Sequence, residues 1–515
     1  MKRYLYLTHR WLGIAVCLFM AMWFFSGVVM MYVGYPKLLP SERLAALPPL
    51  DPARCCVDLS RAFDAAGESG APQSVRLTSI AGAPTFIFER RAKDSGPQFT
   101  AARASDGARV TSVSEENAIA AARAFLGGDA SYDGIVDEDQ WTHSKGLDGL
   151  RPLHRVFMSD ADSTLLYVSS VTGEVVRDAT RTERLWNWAG AWIHWLYPFR
   201  GGWLEAYWHD IIVYSSLIGT VLAVTGLVVG VMRWRFRAPY RTGARTPYRE
   251  GMMKWHHIVG LIGGVTAITF VFSGLMSMNP WKIFETRSAF DAKAYYGGAL
   301  APERFHLSIA QALTKFADDG FSARELELRV IDGAGYYVGF SAGGATRILR
   351  AEADAAPAFT LPLEELKRLG ARLVPGAKVT AATVMESYDF YYFARAPHTM
   401  HGDVDKRLPV LRLEFDDAAG TWAHIDPHTG AVLGKLDSGR RASRWLFALL
   451  HSWDAPALLA ARPLWDALML ALNGAGFALS VTGIVIGWRR LKRKFGERRA
   501  PARSASPSLA RSSRA

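Results

Sequence analysis

The chain has 515 residues, of which 50% are hydrophobic, and it contains 17 Trp, 26 Phe and 18 Tyr. It is too long for one ordinary domain and too apolar for a disordered chain. Three cysteines exclude a disulfide scaffold or a Cys-rich metal module, and the adjacent Cys55 and Cys56 suit neither a zinc site nor a typical structural bridge.

Four long uncharged stretches predict membrane-spanning helices. They are residues 11–33, 211–232, 258–278 and 467–488, and each exceeds 20 residues. At 1.5 Å per residue, that length crosses a hydrocarbon core of about 30 Å. The first stretch is too long for a signal peptide, and no small-residue cleavage pattern follows it. We therefore expect a multi-pass protein in contact with membrane lipid.

The positive charge is concentrated in three segments that flank these stretches. Residues 2–10, 233–254 and those after Trp488 together hold 20 basic and 2 acidic residues, which leaves 40 basic and 46 acidic residues elsewhere. Basic loops mark the cytoplasmic side of a membrane. Both termini and the loop are therefore predicted to be cytoplasmic, with two large acidic regions on the outside. No basic patch remains to indicate a nucleic-acid partner.

These boundaries predict an α-helical membrane protein with two α+β domains outside. Helix 1 takes residues 1–34 and the first outside domain takes 35–184. An interfacial helix and helix 2 follow over 185–234, and then a basic cytoplasmic loop over 235–254. Helix 3 takes 255–280, the second outside domain 281–441, and an interfacial helix with helix 4 takes 442–490. The basic tail 491–515 is predicted to be disordered.

An internal repeat relates the two halves. His9, Gly13 and the triplet 25–27 match His256, Gly260 and the triplet 272–274 at an offset of 247 residues. After the outside domains the offset is 257, and it relates Thr172, Arg184, Trp188, His194, Trp208 and Gly226 to Thr429, Arg441, Trp445, His451, Trp465 and Gly483. Both halves then have the same orientation. We expect a pseudo-twofold axis along the membrane normal, with functional groups near the repeat interface.

Short patterns predict elements within the outside domains. Ser112 and Glu115 form a capping-box pattern that opens a helix through Leu126. Residues 165–176 read as a hairpin around a Thr-Gly turn. In the second domain we expect a helix near 363–373, a strand at 410–415 and a hairpin over 422–433.

Two histidine pairs occupy matching positions in the repeat, His9 with His256 and His194 with His451. Histidine within or beside a bilayer indicates function, although a single interfacial histidine can also cap a helix or bind a headgroup. Two imidazoles opposed across a twofold axis suit a low-spin b-type haem, so the pairs predict two haems. Zinc would need four ligands, and a proton relay would need intramembrane Asp or Glu, which the four stretches lack.

Other histidines are secondary candidates. His257 is a possible propionate contact or alternative ligand, and His209 a possible ligand or hydrogen-bond partner. The His398-x-x-His401 pattern is compatible with a metal, but turn or surface histidines are favoured. The aromatic run Tyr388-Asp-Phe-Tyr-Tyr-Phe393 fits either part of a docking surface or a strand core.

Several motifs resemble the PepSY-associated transmembrane family, and the resemblance covers nearly the whole chain. They are His9-Arg-Trp-Leu-Gly13, Gly190-Ala-Trp-Ile-His194-Trp-Leu-Tyr197, Trp255-His256-His257-x-x-Gly260 and Arg444-Trp-Leu-x-x-Leu-Leu-His451-Ser-Trp-Asp454. Asp426-Pro-His-Thr-Gly430 resembles the closing hairpin of a PepSY domain. The resemblance implies a bacterial inner-membrane protein, often iron-regulated, with two periplasmic PepSY-like domains. It also implies similarity to di-haem reductases of ferric siderophores.

The leading functional hypothesis is a haem-dependent membrane oxidoreductase that conducts electrons outward to a ferric siderophore or another periplasmic acceptor. The chain has no dinucleotide-binding or flavin motif, so a separate cytoplasmic donor must supply the electrons. The alternative is a non-enzymatic module that binds or regulates a periplasmic protein or peptidase. A transporter is disfavoured because four crossings without intramembrane charge offer no transport pathway.

Overall fold

In the computed structural model, the described residues are 2–67, 70–91, 96–200, 202–400 and 402–499. Four of their helices are long and apolar enough to cross a membrane: α1 (Lys2–Met30), α2 (Trp208–Arg233), α3 (Met252–Ser277) and α4 (Leu464–Arg499). All four predicted spans are confirmed, and the chain is a multi-pass membrane protein. Exposed apolar side chains such as Leu18 and Ile262 suit contact with lipid.

The four helices form a bundle in which α1 and α3 each pack against both α2 and α4. On α1 the buried positions Cys17, Met20, Ala21 and Phe24 recur at helical spacing, which makes one stripe face the bundle. Gly476 on α4 lies directly under Phe24, where a methyl group would come within 2.3 Å of the ring. Close helix approach at glycine is typical of membrane bundles.

The last helix is longer than predicted. It continues past residue 490 to Arg499, so the expectation of disorder from residue 491 is wrong for residues 491–499. Lys and Arg favour helix, and they can extend a membrane helix beyond the hydrocarbon core. Residues 500–515, the rest of the predicted disordered tail, lie outside the described residues.

Fifteen strands in the described residues form three antiparallel sheets. The strands are β1 (Ser74–Ile80), β2 (Ala83–Arg91), β3 (Pro97–Arg103), β4 (Arg109–Val110), β5 (Ala130–Val136), β6 (Leu153–Met158), β7 (Leu165–Ser169), β8 (Val175–Ala179), β9 (Glu325–Ile331), β10 (Ala334–Phe340), β11 (Thr346–Arg350), β12 (Val379–Met385), β13 (Val410–Phe415), β14 (Trp422–Ile425) and β15 (Val432–Leu436).

One sheet is shared between the two halves. Its strand order is β11-β10-β9-β1-β2-β3-β4, and β1 pairs with β9 through the register Val75↔Leu328 and Leu77↔Leu326. All four of these side chains are buried. The prediction of two separate domains is therefore wrong for this layer. Pairing β1 with β9 satisfies the backbone N–H and C=O groups of two strand edges that separate domains would leave unpaired.

A buried ion network reinforces this junction. Glu325 of β9 accepts hydrogen bonds from Arg43 and, at 3.2 Å, from Arg76 of β1, and Arg76 also pairs with Glu174 at 2.6 Å. Burial alone would raise the pKa of Glu325, but the two guanidinium groups outweigh burial and lower that pKa. The network joins the shared sheet to the segment that follows β7.

Each half also builds a four-stranded meander with a helix on one face, β5–β8 with Glu115–Leu126 and β12–β15 with Leu363–Gly370. The predicted hairpins and the strand 410–415 are confirmed. The predicted capping box is wrong, because Ser114 rather than Ser112 caps the first helix, accepting a hydrogen bond from the Asn117 N–H.

Between each meander and the next membrane helix lies a connecting segment. It starts as a short helix, Arg181–Asn187 or Ser438–Ser443, and continues as a π-helical turn, Trp188–Trp192 or Arg444–Leu449. A single interfacial helix was expected in each place. Gly190 departs from helical dihedral angles where it packs against Val29 of α1, which breaks the first segment.

The remaining helices and turns are short and lie outside the four spans. They are Pro40–Ala46, Pro52–Arg54, Leu59–Ala66, Lys145–Leu150, Tyr197–Phe199, Gly202–Tyr207, Pro280–Lys282, Lys293–Tyr296, Pro302–Arg304, Ile309–Asp318, Ala371–Leu373, Leu450–Ser452 and Pro456–Ala460. Cys55 and Cys56, which did not suggest a bridge, are joined by a disulfide. The aromatic run 388–393 lies in the loop between β12 and β13 rather than in a strand core.

Candidate cofactor-binding site

The bundle brings together both predicted histidine pairs. His9 of α1 and His256 of α3, the helix pair, have ring centroids 6.2 Å apart with an interplanar angle of 34°. His194 and His451 of the two connecting segments, the connector pair, have ring centroids 6.1 Å apart at 73°. Residues separated by 247 or 257 positions in sequence thus meet in space, as the repeat predicts.

The two pairs lie near opposite ends of the bundle. His194 contacts Ser26 of α1, which is 17 residues after His9 on the same helix. At 1.5 Å per residue this separation is about 25 Å along the helix axis. The core between the pairs is apolar and includes Met20, Phe24 and Phe270.

In the connector pair each imidazole is anchored by a serine from a membrane helix. Ser26 Oγ lies 2.9 Å from His194 Nδ1, and Ser273 Oγ lies 3.0 Å from His451 Nδ1. Each hydroxyl also donates to a carbonyl of its own helix, at 2.7 and 2.9 Å respectively. A hydroxyl has one proton, so while that proton is donated to the carbonyl, each serine oxygen accepts the Nδ1–H of its histidine.

In the helix pair the anchors differ but have the same consequence. His9 Nδ1 lies 3.3 Å from the carbonyl oxygen of Leu222, which can only accept. His256 Nδ1 lies 3.0 Å from Thr482 Oγ1, whose own proton goes to carbonyls of the preceding turn. Both histidines therefore also carry their proton on Nδ1.

All four histidines are thus held in one tautomer, with a lone pair left on Nε2. Within the described part of the chain, no hydrogen bond engages any of these four Nε2 atoms. An imidazole that donates through one nitrogen and offers the other is the usual form of a metal-bound histidine. The donor set is accordingly suited to two metal centres with two imidazoles each.

The spacing also suits iron in a haem. An iron atom with one imidazole nitrogen at about 2 Å on each side places the ring centroids about 6 Å apart. Both pairs have that spacing. His9 with His256 and His194 with His451 are therefore the residues that would hold haem in this chain.

Glycines let neighbouring helices approach the imidazoles closely. A methyl group at Gly226 would lie 2.7 Å from His9 Cε1, and one at Gly483 would lie 3.5 Å from His256 Cε1. Gly226 and Gly483 are aligned in the repeat. Any larger side chain at these positions must displace an imidazole or a helix.

The secondary candidates are engaged elsewhere. His257 Nε2 donates to the Gly230 carbonyl at 2.8 Å, and its Nδ1 lies 2.7 Å from the Thr246 hydroxyl. His209 Nε2 donates to the Met278 carbonyl at 3.1 Å. His257 ties the loop between α2 and α3 to α2, and His209 ties α2 to the end of α3. In this arrangement neither histidine offers Nε2 to a metal.

Metal binding by the His398-x-x-His401 pattern finds no support among the described residues. His398 is half-buried, with its backbone packed against Gly34, whereas His401 lies outside the described residues. Among the residues described, no cluster of three or more His, Cys, Asp or Glu side chains is placed to hold a metal ion.

The sequence interpretation missed the residues that orient the histidines. Ser26 and Ser273 occur in matched Phe-Ser-Gly triplets, and Thr482 lies in a Val-Thr-Gly triplet matched at 224–226. Their recurrence was visible, but their role depends on which imidazole they meet. A hydroxyl recurring beside an intramembrane histidine pair is a signal that would have identified them.

Comparison with known proteins identifies a family for the chain. A search of curated proteins gives no match. The family model described as "PepSY-associated TM region" matches residues 6–355, which is more than half of the chain. The matched range includes three of the four membrane helices and three of the four paired histidines. The chain therefore belongs to the PepSY-associated TM region family.

Proposed function

We propose that this protein is a transmembrane electron conduit that holds two b-type haems. The observation that carries the proposal is the common tautomer of His9, His256, His194 and His451. Each has its Nδ1–H consumed by an anchor and its Nε2 free, in two pairs with centroids about 6 Å apart. Haem held there would supply a one-electron carrier at each of two depths.

The positions of the two histidine pairs would then define the path of the electrons. The helix pair and the connector pair lie about 25 Å apart along α1. An apolar core of about 30 Å is too wide for one efficient electron jump, so two stations at different depths are needed. The packed apolar side chains between them exclude water and hold the two pairs at a constant separation.

We infer the direction from the charge distribution. The basic segments lie next to the helix-pair end of α1, α3 and α4, which supports a cytoplasmic location for that end and a periplasmic location for the strand-rich regions. A cytoplasmic donor would deliver electrons near His9 and His256. A periplasmic acceptor, with Fe(III) in a ferric siderophore as our first choice, would receive them near His194 and His451.

A reoxidation experiment tests the relay. Dithionite-reduced protein, freed of excess reductant, is mixed with ferrioxamine and the haem α band is followed. In wild type we expect both haems to reoxidise. In His451→Ala the haem remaining at the helix pair should stay reduced far longer. His209→Ala serves as the matched control and should behave like wild type.

Equal reoxidation rates in wild type and His451→Ala would contradict the relay. Failure of any ferric chelate to reoxidise the wild type would indicate another acceptor. A preparation without haem would instead favour the alternative function, a PepSY module that binds or regulates a periplasmic protein or peptidase.

A further inference from the structure

The segment that carries His451 is closed by a buried ion pair. Arg444 Nη1 lies 2.6 Å from Asp454 Oδ1, and Arg444 Nη2 also donates to the Asp454 carbonyl at 3.1 Å. The side chains are only 8% and 5% exposed. Because Arg444 and Asp454 stand at opposite ends of the segment, their contact holds His451 within a closed loop.

A second cation joins this pair. Arg395, from the loop between β12 and β13, places Nη2 2.8 Å from Asp454 Oδ2. Both guanidinium groups stack on Phe393, each 5.1 Å from the ring centroid. Among the described residues, Asp454 is the one carboxylate within 4 Å of either arginine. The cluster of Arg395, Arg444 and Asp454 therefore has a net charge of +1.

The first half lacks this cluster. The residues aligned with Arg444 and Asp454 are Asn187 and Tyr197, and neither is charged. Asn187 donates to the Gly34 carbonyl at 3.2 Å instead. The loop between β5 and β6 spans 16 residues, against 24 for the loop that supplies Arg395. The cluster of Arg395, Arg444 and Asp454 thus lies on the His451 side of the connector pair, whereas on the His194 side the cation near the aligned residue Tyr197 is Arg200, 5.3 Å from its ring centroid.

We propose that Arg395, Arg444 and Asp454 act as a positioning cluster that fixes His451 and raises the reduction potential of iron at the connector pair. This inference rests on the proposed function. Reduction adds one electron to bound Fe(III) and gives Fe(II), with the electron supplied by the one-electron donor on the cytoplasmic side. A fixed positive charge in a poorly hydrated site favours the form with one charge fewer. The cluster would draw electrons from the helix pair towards the connector pair.

The test is a redox titration of the purified full-length protein, followed at the haem α band. Arg395→Gln leaves the neutral Arg444–Asp454 pair and should lower the potential of the connector haem. Asp454→Asn leaves two unbalanced cations and should raise it. Repeating each variant with His256→Ala, which should leave only the connector haem, assigns the shift. The helix-pair haem should not change.

Arg407→Gln is the matched control because it removes the same charge from the same loop. The Arg407 guanidinium pairs with Asp405 and packs against Phe340 of the shared sheet rather than against Asp454. Shifts of opposite sign for Arg395→Gln and Asp454→Asn, larger than the control shift, would support the proposal. A general structural disturbance would not reverse sign between the two variants.

Arg395→Gln decides the outcome, because Arg395 is 23% exposed and its removal leaves the buried pair intact. If the connector potential in Arg395→Gln moves no further than in Arg407→Gln, the cluster does not tune the site. If wild-type protein binds two haems but Arg395→Gln shifts the potential no further than Arg407→Gln, the proposed electron conduit is retained and the tuning role of the cluster is refuted. If wild-type protein binds no haem, the proposed function itself is refuted.

Discussion

Around the connector pair, aligned positions of the two halves make the same contacts, whereas in the strand-rich part they make different ones. Ser26 anchors His194 as Ser273 anchors His451, and the indole of Trp208 binds its connecting segment as that of Trp465 binds the other. In the strand-rich part, β1 of the first half pairs with β9 of the second. The loop that carries Arg395 is longer than the corresponding loop of the first half.

The difference shows which contacts are the same in the two halves of the repeat and which are not. A cofactor held between two halves needs matched donors, so equivalent contacts in the membrane part are what the proposed function requires. A strand edge needs only another strand in register to pair its backbone N–H and C=O groups, and another segment can supply that strand. We expect the matched contacts to control haem and the unmatched contacts to control stability and tuning.

Removing a paired histidine should have the largest effect. His194→Ala or His451→Ala should eliminate the connector haem or convert it to a form with one axial ligand, and His9→Ala or His256→Ala should do the same to the helix-pair haem. The number of haems with bis-histidine ligation per protein should fall from two to about one in each case. His257→Ala is the control, since its nitrogens are engaged by Gly230 and Thr246. Two unchanged bis-histidine spectra in all four variants would refute the ligand assignment.

Of the changes considered, breaking the junction of the two halves should lower the free energy of unfolding most. Glu325→Gln leaves Arg43 and Arg76 without their shared carboxylate, and losing one partner of a buried ion pair costs about 3–5 kcal/mol. Denaturant unfolding of the strand-rich part measures this loss. Glu364→Gln, at a residue whose side chain is 85% exposed, should change stability by less than about 1 kcal/mol.

The stability of the junction between the two halves should also depend on pH. The pKa of Glu325 in the folded state is below its usual value of 4.5, so its contribution is present above about pH 4.5 and is lost as the pH falls through the lower folded-state pKa. The stability difference between wild type and Glu325→Gln should therefore shrink below pH 4.5. A difference that stays constant down to the lowest measurable pH would show that charge on Glu325 does not stabilise the junction.

Removing a serine anchor should weaken one haem. Ser26→Ala or Ser273→Ala deletes the acceptor of an Nδ1–H, and loss of such an orienting contact typically lowers metal affinity about 10–100-fold. Haem transfer to apomyoglobin measures the loss, which should affect the connector haem alone. Ser277→Ala provides the comparison, because Ser277 is exposed and bonds only to its own helix. Equal haem transfer from all three variants would mean that the serines do not orient the ligands.

Overpacking the helix pair should have the smallest effect. Gly226→Ala places a methyl group 2.7 Å from His9 Cε1, and forcing an extra methyl group into a packed core costs about 1–3 kcal/mol. We expect a shifted or weakened helix-pair haem in the absorbance spectrum. Gly474→Ala has open space within 4 Å and should leave the spectrum unchanged. Identical spectra for the two variants would argue against close packing at His9.

Periodicity and spacing predicted the four spans, the histidine pairs and the hairpins, because each depends on residues near one another in sequence or at a constant offset. The pairing of Val75 with Leu328 was beyond such reasoning, since it joins segments about 250 residues apart. The roles of Ser26 and Ser273 depend on spatial contacts with imidazoles. The run 388–393 looked like a strand because aromatic residues favour strands, yet tertiary contacts hold it in a loop.

The central claim is that the two histidine pairs hold haem, and the most direct test is the spectrum and haem content of the purified full-length protein from haem-replete cells. We predict a Soret band, an α band that sharpens on addition of dithionite, and two haems per chain with bis-histidine ligation. A colourless preparation that takes up no added haem would contradict the account.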